Sequence, residues 1–329
     1  MRNKVGHIVP TADCAVTVPI LRKFMHVVTL TCRELDAHPY NPETAHGLRY
    51  VIARYSHYQK SIHVVLIVGK SAKFWEQLAA QLIMRMGEIT GISLHINEDE
   101  GNAHYSRSEN GSIQARRLEG KPIIVEKVGD YRYEIGPGDF FQNNIDVALM
   151  LQNRVLAVSE DFADRPMLDL YCGVGLFSIA LAKKHGWALG VEGLKTAVRR
   201  ARSNARENGV SARFIDSIVA DVAYLVKREI GAHSPFIVVD PARRGLEEDV
   251  FDELEELNPA AILYVSCSAA SLAKDLSQFL ERGFSVEWIE LYDMFPQTAH
   301  VESLTLLLPS TAPPVSGWRP PQNRRIVVQ

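Results

Sequence analysis

The first 130 residues alternate between β-branched apolar runs and short polar joints. Residues 46–56 and 61–69 are two such runs with a few polar residues between them, which predicts a β-hairpin. Apolar residues recur at helical spacing over 73–89 and predict a helix. Two further apolar runs, 91–99 and 121–129, predict additional strands. This part of the chain is therefore expected to be α+β, with a sheet backed by a helix.

From about residue 140 the pattern becomes a regular alternation of short apolar runs with helical segments. Such runs predict parallel strands buried on both faces, and the alternation predicts a doubly wound, Rossmann-like α/β domain. Two consecutive predicted strands, 284–295 and 300–309, end the series. A terminal antiparallel hairpin on a parallel sheet is typical of class I methyltransferases that use S-adenosylmethionine. The strands predicted before that hairpin are residues 166–171, 187–192, 212–216, 235–240 and 260–266.

Composition and charge exclude several classes of protein. The chain has 329 residues, of which 47% are hydrophobic and 23% charged, so it is neither disordered nor a coiled coil. No apolar run approaches the ~20 residues of a transmembrane helix, and four cysteines are too few for a disulfide scaffold. We therefore expect a cytoplasmic protein with no membrane partner and no obligate protein partner.

The net charge of −3 is distributed unevenly along the chain. Residues 1–60 carry +4, residues 61–130 carry −1, and residues 131–329 carry −6. The average argues against a surface covered with nucleic-acid contacts, but the N-terminal part is mildly basic. Three segments are expected, namely an α+β domain (1–130), a catalytic domain (131–309) and a Pro-rich basic tail (310–329).

A glycine-rich segment, DLYCGVG at 169–175, follows the first strand of the alternation and opens a helix. Gly173 and Gly175 permit a tight turn and a close approach to a ligand. The third glycine of the dinucleotide fingerprint is replaced by Ser178, which disfavours an NAD site. Asp169 suits the ammonium group of a methionine-bearing cofactor and would repel a phosphate. The segment thus predicts S-adenosylmethionine as cofactor, the alternative being an α/β domain whose glycines only form a turn.

Charged residues follow three further strands at the same predicted sheet edge. Glu192 ends the second strand, where it can accept hydrogen bonds from both ribose hydroxyls, and Asp221 after the third can reach the adenine amine. Asp240 ends the fourth strand and is followed by Arg243 and Arg244, which can hold a phosphate or carboxylate. Ligands bind outside the carboxyl ends of strands in open α/β sheets, although a helix-capping turn would also explain the last segment.

Cys267 ends the fifth strand and therefore lies on the same edge. A cysteine beside a helix N-terminus is expected to have a lowered pKa and to act as a nucleophilic thiolate. The alternative is a small buried hydrophobic residue. Glu302 begins the last apolar strand, where partial desolvation would raise its pKa and suit it to act as a general base. Its alternative is a charge at the strand entrance that reaches solvent.

Six motifs in this order resemble those of the RNA uracil-C5 methyltransferases, the TrmA/RlmC/RlmD family. The resemblance covers about residues 120–308, and its last two motifs look most similar to the RlmC type, which acts on 23S rRNA. A weaker similarity in the N-terminal part is to the RNA-contacting central domain of the family. The motifs are FFQNN (140–144), DLYCGVG (169–175), GVE (190–192), DPARRGL (240–246), YVSCSAASLAKDL (264–276) and MFPQTAHVESLTLL (294–307).

The resemblance implies a role for each matching residue. Cys267 would add to uracil C6 and Glu302 would remove the C5 proton. Ser268 stands where the family has Asn, close to the uracil, which puts substrate recognition in doubt. The implied cofactor ligands are Gln142, Tyr171, Glu192, Asp240 and Asp221, beside Asp169, Gly173 and Gly175; the implied substrate contacts are Phe141 or Phe140, Arg243, Arg244 and Ser268.

The implied activity is methylation of uridine C5 in RNA, with 23S rRNA favoured over tRNA. Two other hypotheses stay open: a methyltransferase for another substrate with a structural Cys267, and a non-catalytic RNA-binding protein that keeps the fold. Only Cys14 matches the cysteines of the iron–sulfur cluster found in many members, so no cluster is expected. The beginning of the chain resembles that of an N-terminally shortened member.

Overall fold

The chain divides into two compact units. The computed structural model describes residues 14–99, 101, 103–108, 112–218 and 222–311, together with the backbone of Ile326–Val327. The first unit holds the described residues up to Glu126 and the short segment Ile135–Gly138, and the second holds Lys127–Glu134 and the described residues from Asp139 onward.

The first unit is a four-stranded sheet with helices on one face. The strand order is β1-β2-β3-β4, in which β1 and β2 form the predicted antiparallel hairpin. Strands β2 and β3 are parallel and connected through α2, and β4 pairs antiparallel with β3. The elements are α1 (Pro19–Glu34), β1 (Leu48–Ser56), β2 (Ser61–Val68), α2 (Phe74–Arg85), β3 (Ile89–Ile96) and β4 (Arg116–Gly120).

Helix α1 is an element beyond those predicted from the sequence. It begins with Pro19 in its first turn, where a missing N–H costs nothing, and it buries Phe24 in the core of this unit. That core also contains Leu78 and Leu82 of α2 and the alternating apolar residues of β2 and β3. The sheet is thus backed by two helices rather than one.

The second unit contains the predicted doubly wound sheet. Its strand order is β14-β12-β13-β11-β10-β7-β8-β9. Strands β7 to β11 run parallel, β13 is antiparallel to β11 and to β12, and this confirms the predicted class of fold with its terminal hairpin. The elements of the sheet and its helices are α3 (Ile145–Ser159), β7 (Met167–Leu170), α4 (Leu176–His185), β8 (Ala188–Glu192), α5 (Lys195–Glu207), β9 (Ala212–Asp216), α6 (Val222–Ile230), β10 (Phe236–Val239), α7 (Glu248–Glu256), β11 (Ala261–Ser266), α8 (Ala269–Glu281), β12 (Phe284–Tyr292), β13 (Glu302–Pro309) and β14 (Ile326–Val327).

Two short strands, β5 (Ile124–Val128) and β6 (Tyr131–Ile135), form a separate two-stranded sheet. Most of the predicted basic tail lies outside the described residues. In the part of the chain that the structure describes, no helix is long and apolar enough to cross a bilayer.

The topology fixes where a ligand can bind. Strand order reverses beside β7, whose neighbours are β10 on one side and β8 on the other. The helices after these strands leave in different directions at this point, so a crevice opens outside the carboxyl ends of the strands. The buried strands β7 and β10 have no exposed residue, and hydrophobic burial on both faces holds this edge in place.

Gly190 of β8 tests how tightly this edge is packed. An added Cβ would lie 2.6 Å from the Phe214 ring and 2.8 Å from the Cys172 sulfur. We expect Gly190→Ala to lower the free energy of unfolding by about 1–3 kcal/mol in urea titrations, because overpacking forces neighbours apart. Gly87→Ala is the control, since a Cβ there meets no atom within 4 Å, and its effect should stay within about 0.5 kcal/mol. Equal losses in the two variants would contradict this account.

Candidate active site

The glycine-rich loop joins the end of β7 to the start of α4 by a tight turn. Tyr171, Gly173 and Gly175 all have positive φ, at 60°, 53° and 95°. The Gly175 N–H donates to the Cys172 carbonyl at 2.8 Å, and Gly175 is the N-cap residue of α4. A Cβ on Gly173 would meet no atom within 4 Å, so open space adjoins the loop there. The loop therefore offers a ligand close access to its backbone.

Glu192 holds this loop from the end of β8. One carboxylate oxygen accepts from the Gly173 N–H at 3.1 Å, and the other accepts from the Leu194 N–H at 2.7 Å. Both carboxylate oxygens of Glu192 thus bind backbone N–H groups beside the end of β8. The position agrees with the ribose-binding role that the sequence predicts, and that role remains a prediction.

Asp169 occupies a different place from the one expected. Its side chain is fully buried, and its Oδ2 accepts from the Ser178 N–H at 2.8 Å and the Ser178 hydroxyl at 2.5 Å. Burial raises the pKa of this carboxyl to about 7, against the opposing effect of the two Ser178 hydrogen bonds. Asp169 was expected to contact a ligand, but it instead accepts hydrogen bonds from the first turn of α4. A carboxylate is favourable there because helix N-termini attract negative charge.

The segment after β10 is fixed by two side chains of α8. The Ser271 hydroxyl donates to the Arg243 carbonyl at 2.9 Å, and the Leu246 N–H donates to Asp275 Oδ2 at 2.9 Å. The Tyr264 hydroxyl donates to the same oxygen at 2.6 Å. Gly245 has a φ of 81°, and a Cβ there would lie 2.4 Å from Asp275. This close contact explains why the turn contains glycine.

Sequence reasoning did not single out Asp275. It lies one turn after Ser271 on α8 and points to the apolar side of that helix, among the buried residues Leu272 and Phe279. A carboxylate at a core position of an amphipathic helix was the signal that could have identified it, because such a group needs hydrogen-bond donors.

Asp240, Cys267 and Glu302 come together at the carboxyl edge of the sheet. Strands β10, β11 and β13 carry them there from three distant parts of the sequence. Burial first, and then the carboxylates of Glu302 and Asp169, raise the pKa of Asp240 well above its ordinary value. Asp240 therefore lies within electrostatic reach of both carboxylates.

Nearby carboxylates also affect the pKa of the Cys267 thiol. Its pKa is raised, chiefly by burial and then by Glu302 and Asp240, while the Arg243 guanidinium has a smaller opposing effect. The expected lowering of this pKa by the N-terminus of α8 is therefore wrong. Two nearby acids and a partly desolvated site outweigh one helix end. The neutral thiol is the dominant form of Cys267 near neutral pH.

Glu302 lies at the start of β13 with only 3% of its surface exposed. Burial raises the pKa of this carboxyl to about 7. Within the described residues no group donates a hydrogen bond to it. The alternative of a strand-entrance charge that reaches solvent is thus wrong, and the side chain is a carboxyl that can take up and release a proton near neutral pH.

Ser268 caps helix α8. Its hydroxyl oxygen accepts from the Ser271 N–H at 3.4 Å, and its own N–H donates to the Ser266 hydroxyl at 3.2 Å. Serine and asparagine are comparably good N-cap residues. The serine that replaces the family asparagine therefore preserves the start of the helix directly after Cys267.

The two phenylalanines before Gln142 have opposite environments. Phe141 is buried and packs against the Tyr133 ring at a centroid distance of 5.4 Å, whereas Phe140 is 65% exposed. The expectation that Phe141 contacts the substrate is corrected, because its ring belongs to the core. Phe140 is the ring that another aromatic group can reach. Gln142 itself is buried.

The two arginines after Asp240 are both exposed, with different partners. Arg243 donates to His300 Nδ1 at 3.1 Å, which connects the segment after β10 to the segment before Glu302. Arg244 forms an ion pair with Glu247.

Asp221, the predicted adenine ligand, lies outside the described residues. Of the remaining cysteines, Cys172 is buried, while Cys14 and Cys32 are partly exposed.

A profile of the tRNA (uracil-5-)-methyltransferase family matches residues 121–309, more than half of the chain. The chain belongs to this family. The match includes all the motifs of the site described above. It does not distinguish the RlmC type from other members.

Curated relatives and solved structures agree with that assignment. The chain is 30% identical over 304 residues to an uncharacterized RNA methyltransferase of Caldanaerobacter subterraneus, covering 91% of this chain and 66% of the relative. It is 28% identical over 309 residues to one of Streptococcus pyogenes, covering 93% of this chain and 66% of that protein. The chain thus spans just under two thirds of the length of these relatives.

Among solved structures, the chain is similar to the Pyrococcus abyssi tRNA (uracil-54, C5)-methyltransferase in complex with S-adenosyl-L-homocysteine. The TM-score is 0.73 and the identity 27%, over 93% of this chain and 72% of that one. The similarity supports the class I methyltransferase fold for the second unit.

Glu302 gives a pH-dependent test that needs no substrate. Its folded pKa of about 7 lies above the ordinary 4.5, so the folded state holds this proton more tightly than the unfolded chain. The wild-type protein should therefore lose stability as pH rises between about 4.5 and 7. Glu302→Gln removes this titration and should gain up to about 3 kcal/mol over wild type between pH 5 and pH 8 in urea titrations.

Glu281→Gln is the matched control, since Glu281 is exposed at the end of α8. It should leave the pH dependence of unfolding unchanged. If the Glu302→Gln advantage is the same at pH 5 and pH 8, the buried carboxyl is not the titrating group.

Proposed function

We propose that this chain transfers a methyl group from S-adenosylmethionine to C5 of a uridine in RNA. The observation that carries the proposal is the convergence of Cys267, Glu302 and Asp240 at one sheet edge of a domain that matches the uracil-C5 methyltransferase family. A nucleophile and a separate proton acceptor are what substitution at uracil C5 requires.

The residues present suit the cofactor. The loop at Gly173 has open space beside it, Glu192 lies against that loop as a hydrogen-bond acceptor, and Asp240 contributes an acidic group. An acid-lined edge attracts a cation and repels the phosphates of a dinucleotide. When bound, S-adenosylmethionine supplies an electrophilic methyl group on a sulfonium cation. We propose Gln142, Tyr171, Glu192 and Asp240 as the residues that hold it, with Asp169 positioning the loop.

The protein's part begins with Cys267. The thiol gives up its proton to water and the sulfur forms a bond to uracil C6, so the C5–C6 π electrons move toward C5 and O4. C5 then has the electron density needed to accept a methyl group. Arg243 is the described cation that favours the thiolate. Covalent addition thus turns a poor carbon nucleophile into a good one.

Glu302 completes the exchange. After methylation, C5 carries both a methyl group and its original hydrogen. The Glu302 carboxylate removes that proton, the electron pair re-forms the C5–C6 double bond, and the Cys267 sulfur leaves as a thiolate. A carboxyl with a pKa of about 7 is well matched to accept a proton near neutral pH.

The target base has to leave its stack to reach this edge. Phe140 is exposed and lies two residues before Gln142, which makes it the proposed stacking partner in place of Phe141. Arg243 and Arg244 are exposed next to Asp240, where they can meet RNA phosphates. Arg243 also donates a hydrogen bond to His300, so we propose that it orients the RNA as well as attracting it.

RNA that contains 5-fluorouracil tests the covalent step. Fluorine at C5 cannot be removed as a proton, so the Cys267 adduct should persist and migrate as a protein–RNA complex in denaturing gels. Wild type and Cys32→Ala should be trapped, because Cys32 lies in the other unit, whereas Cys267→Ala should not. Glu302→Gln should accumulate an adduct even on normal RNA. Trapping of Cys267→Ala would refute the assigned nucleophile.

The class of RNA needs a separate measurement. Motif similarity favours 23S rRNA, while the resemblance to the Pyrococcus abyssi enzyme favours tRNA as a second candidate. Tritiated methyl transfer into size-fractionated RNA from a strain lacking this gene should label the 23S fraction, and label in the tRNA fraction would reverse our preference. Absence of label in every RNA fraction would contradict the proposed activity and favour a non-catalytic RNA-binding protein.

A further inference from the structure

One edge of strand β6 is bonded to a helix instead of to another strand. The Glu134 N–H donates to Asn204 Oδ1 at 2.7 Å, and Asn204 Nδ2 donates back to the Glu134 carbonyl at 3.2 Å. The Arg132 N–H donates to Asn208 Oδ1 at 2.9 Å, and Asn208 Nδ2 donates back to the Arg132 carbonyl at 2.7 Å. Two side-chain amides of α5 thus imitate the backbone of a neighbouring strand.

The spacing of the two elements makes this pairing possible. Asn204 and Asn208 are four residues apart, about 6 Å along a helix. Arg132 and Glu134 are two residues apart, about 6.6 Å along a strand. The two repeats nearly coincide, so one face of α5 satisfies alternate residues of β6. An amide is the side chain for this purpose because it both donates and accepts.

Asn204 makes one bond that Asn208 does not. Its Nδ2 also donates to the Val174 carbonyl at 3.1 Å, inside the glycine-rich loop. The second donor bond of Asn208 goes back to its own helix, to the Asn204 carbonyl at 2.8 Å. Asn204 is fully buried. The two asparagines are therefore matched in their pairing with β6 and differ in their contact with the loop.

The loop needs an external constraint at this point. Val174 lies between Gly173 and Gly175, which both have positive φ. Glycines have more backbone freedom than other residues, so a peptide group between two of them is costly to order. A second contact from β6 lies next to it, where the Tyr133 hydroxyl donates to the Leu176 carbonyl at 3.1 Å. Strand β6 and its helix partner thus fix the loop from one side.

We propose that Asn204 is a positioning residue that holds the glycine-rich loop in the shape that binds the cofactor. This role rests on the proposed function only in taking S-adenosylmethionine as the ligand that the loop binds. The fixing of the loop itself follows from the bond to the Val174 carbonyl.

The test compares Asn204→Asp with Asn208→Asp. Each change keeps the oxygen that accepts from β6 and removes both donors, but only the first removes the bond to the loop. We expect the dissociation constant of S-adenosylhomocysteine, measured by calorimetry, to rise by about tenfold in Asn204→Asp. In Asn208→Asp it should stay within about threefold. Asn204→Ser is the milder variant should the buried charge prevent folding, because one hydroxyl cannot reach both β6 and Val174.

Hydrogen exchange without ligand gives an independent readout. Amides of residues 171–178 should exchange faster in the Asn204 variants than in wild type and Asn208→Asp. Equal exchange rates and equal affinities in the Asn204 and Asn208 variants would overturn the proposal. Asn204 would then be only a hydrogen-bonding partner of β6. If wild type binds no S-adenosylhomocysteine, the proposed cofactor fails, while the exchange comparison still decides whether Asn204 fixes the loop.

Discussion

The arrangement of this site depends on one constraint, the free-energy cost of burying carboxylates at the carboxyl ends of the parallel strands. Asp169 and Asp275 are both inaccessible to water and both receive hydrogen bonds, from Ser178 in one case and from Tyr264 and Leu246 in the other. Through Oδ2, Asp169 holds the start of α4 and Asp275 holds the turn after β10. Asp240 and Glu302 lie on the same edge without such donors in the described chain, and burial raises their pKa values, as it raises that of Asp169 despite its donors. The buried carboxylates thus divide into two that hold backbone segments and two that receive no hydrogen bond from the described residues.

This division explains how a poor environment for a thiolate can still suit the reaction. The acids that raise the pKa of Cys267 are also the groups that make the edge attractive to a cationic ligand. A free thiolate in the unliganded protein would be open to oxidation, whereas a neutral thiol is less reactive. Arg243 counteracts the acids from the loop after β10 and is tied through His300 to the segment before Glu302. The proposed nucleophile, the proposed base and this cation therefore depend on one set of connected segments.

Much of the second unit could be predicted from the sequence. Its strands are apolar runs that alternate with helices, and burial on both faces leaves no other pattern for a parallel sheet. The strand-end residues Glu192, Asp240 and Cys267 were found for the same reason, because chain position relative to a strand determines the sheet edge. Helix α1 was missed although Ile20, Phe24 and Val28 recur at helical spacing on the face that packs against the core. Asn204 was missed because a polar residue within a helix shows no role until its partners are known. Asp275 was missed although its place on the apolar side of α8 distinguishes it from a surface carboxylate.

The sequence by itself determined the class of fold, the edge on which a ligand would bind and the residues that follow its strands. These depend on local patterns that any parallel sheet repeats. Tertiary structure alone decided which groups at that edge face open space. It placed Asp169 beneath the loop, Phe141 in the core and Phe140 outside, and it raised the pKa of Cys267 where a helix end alone predicted the opposite. Burial and the fields of neighbouring charges arise from segments distant in sequence, so no local pattern contains them.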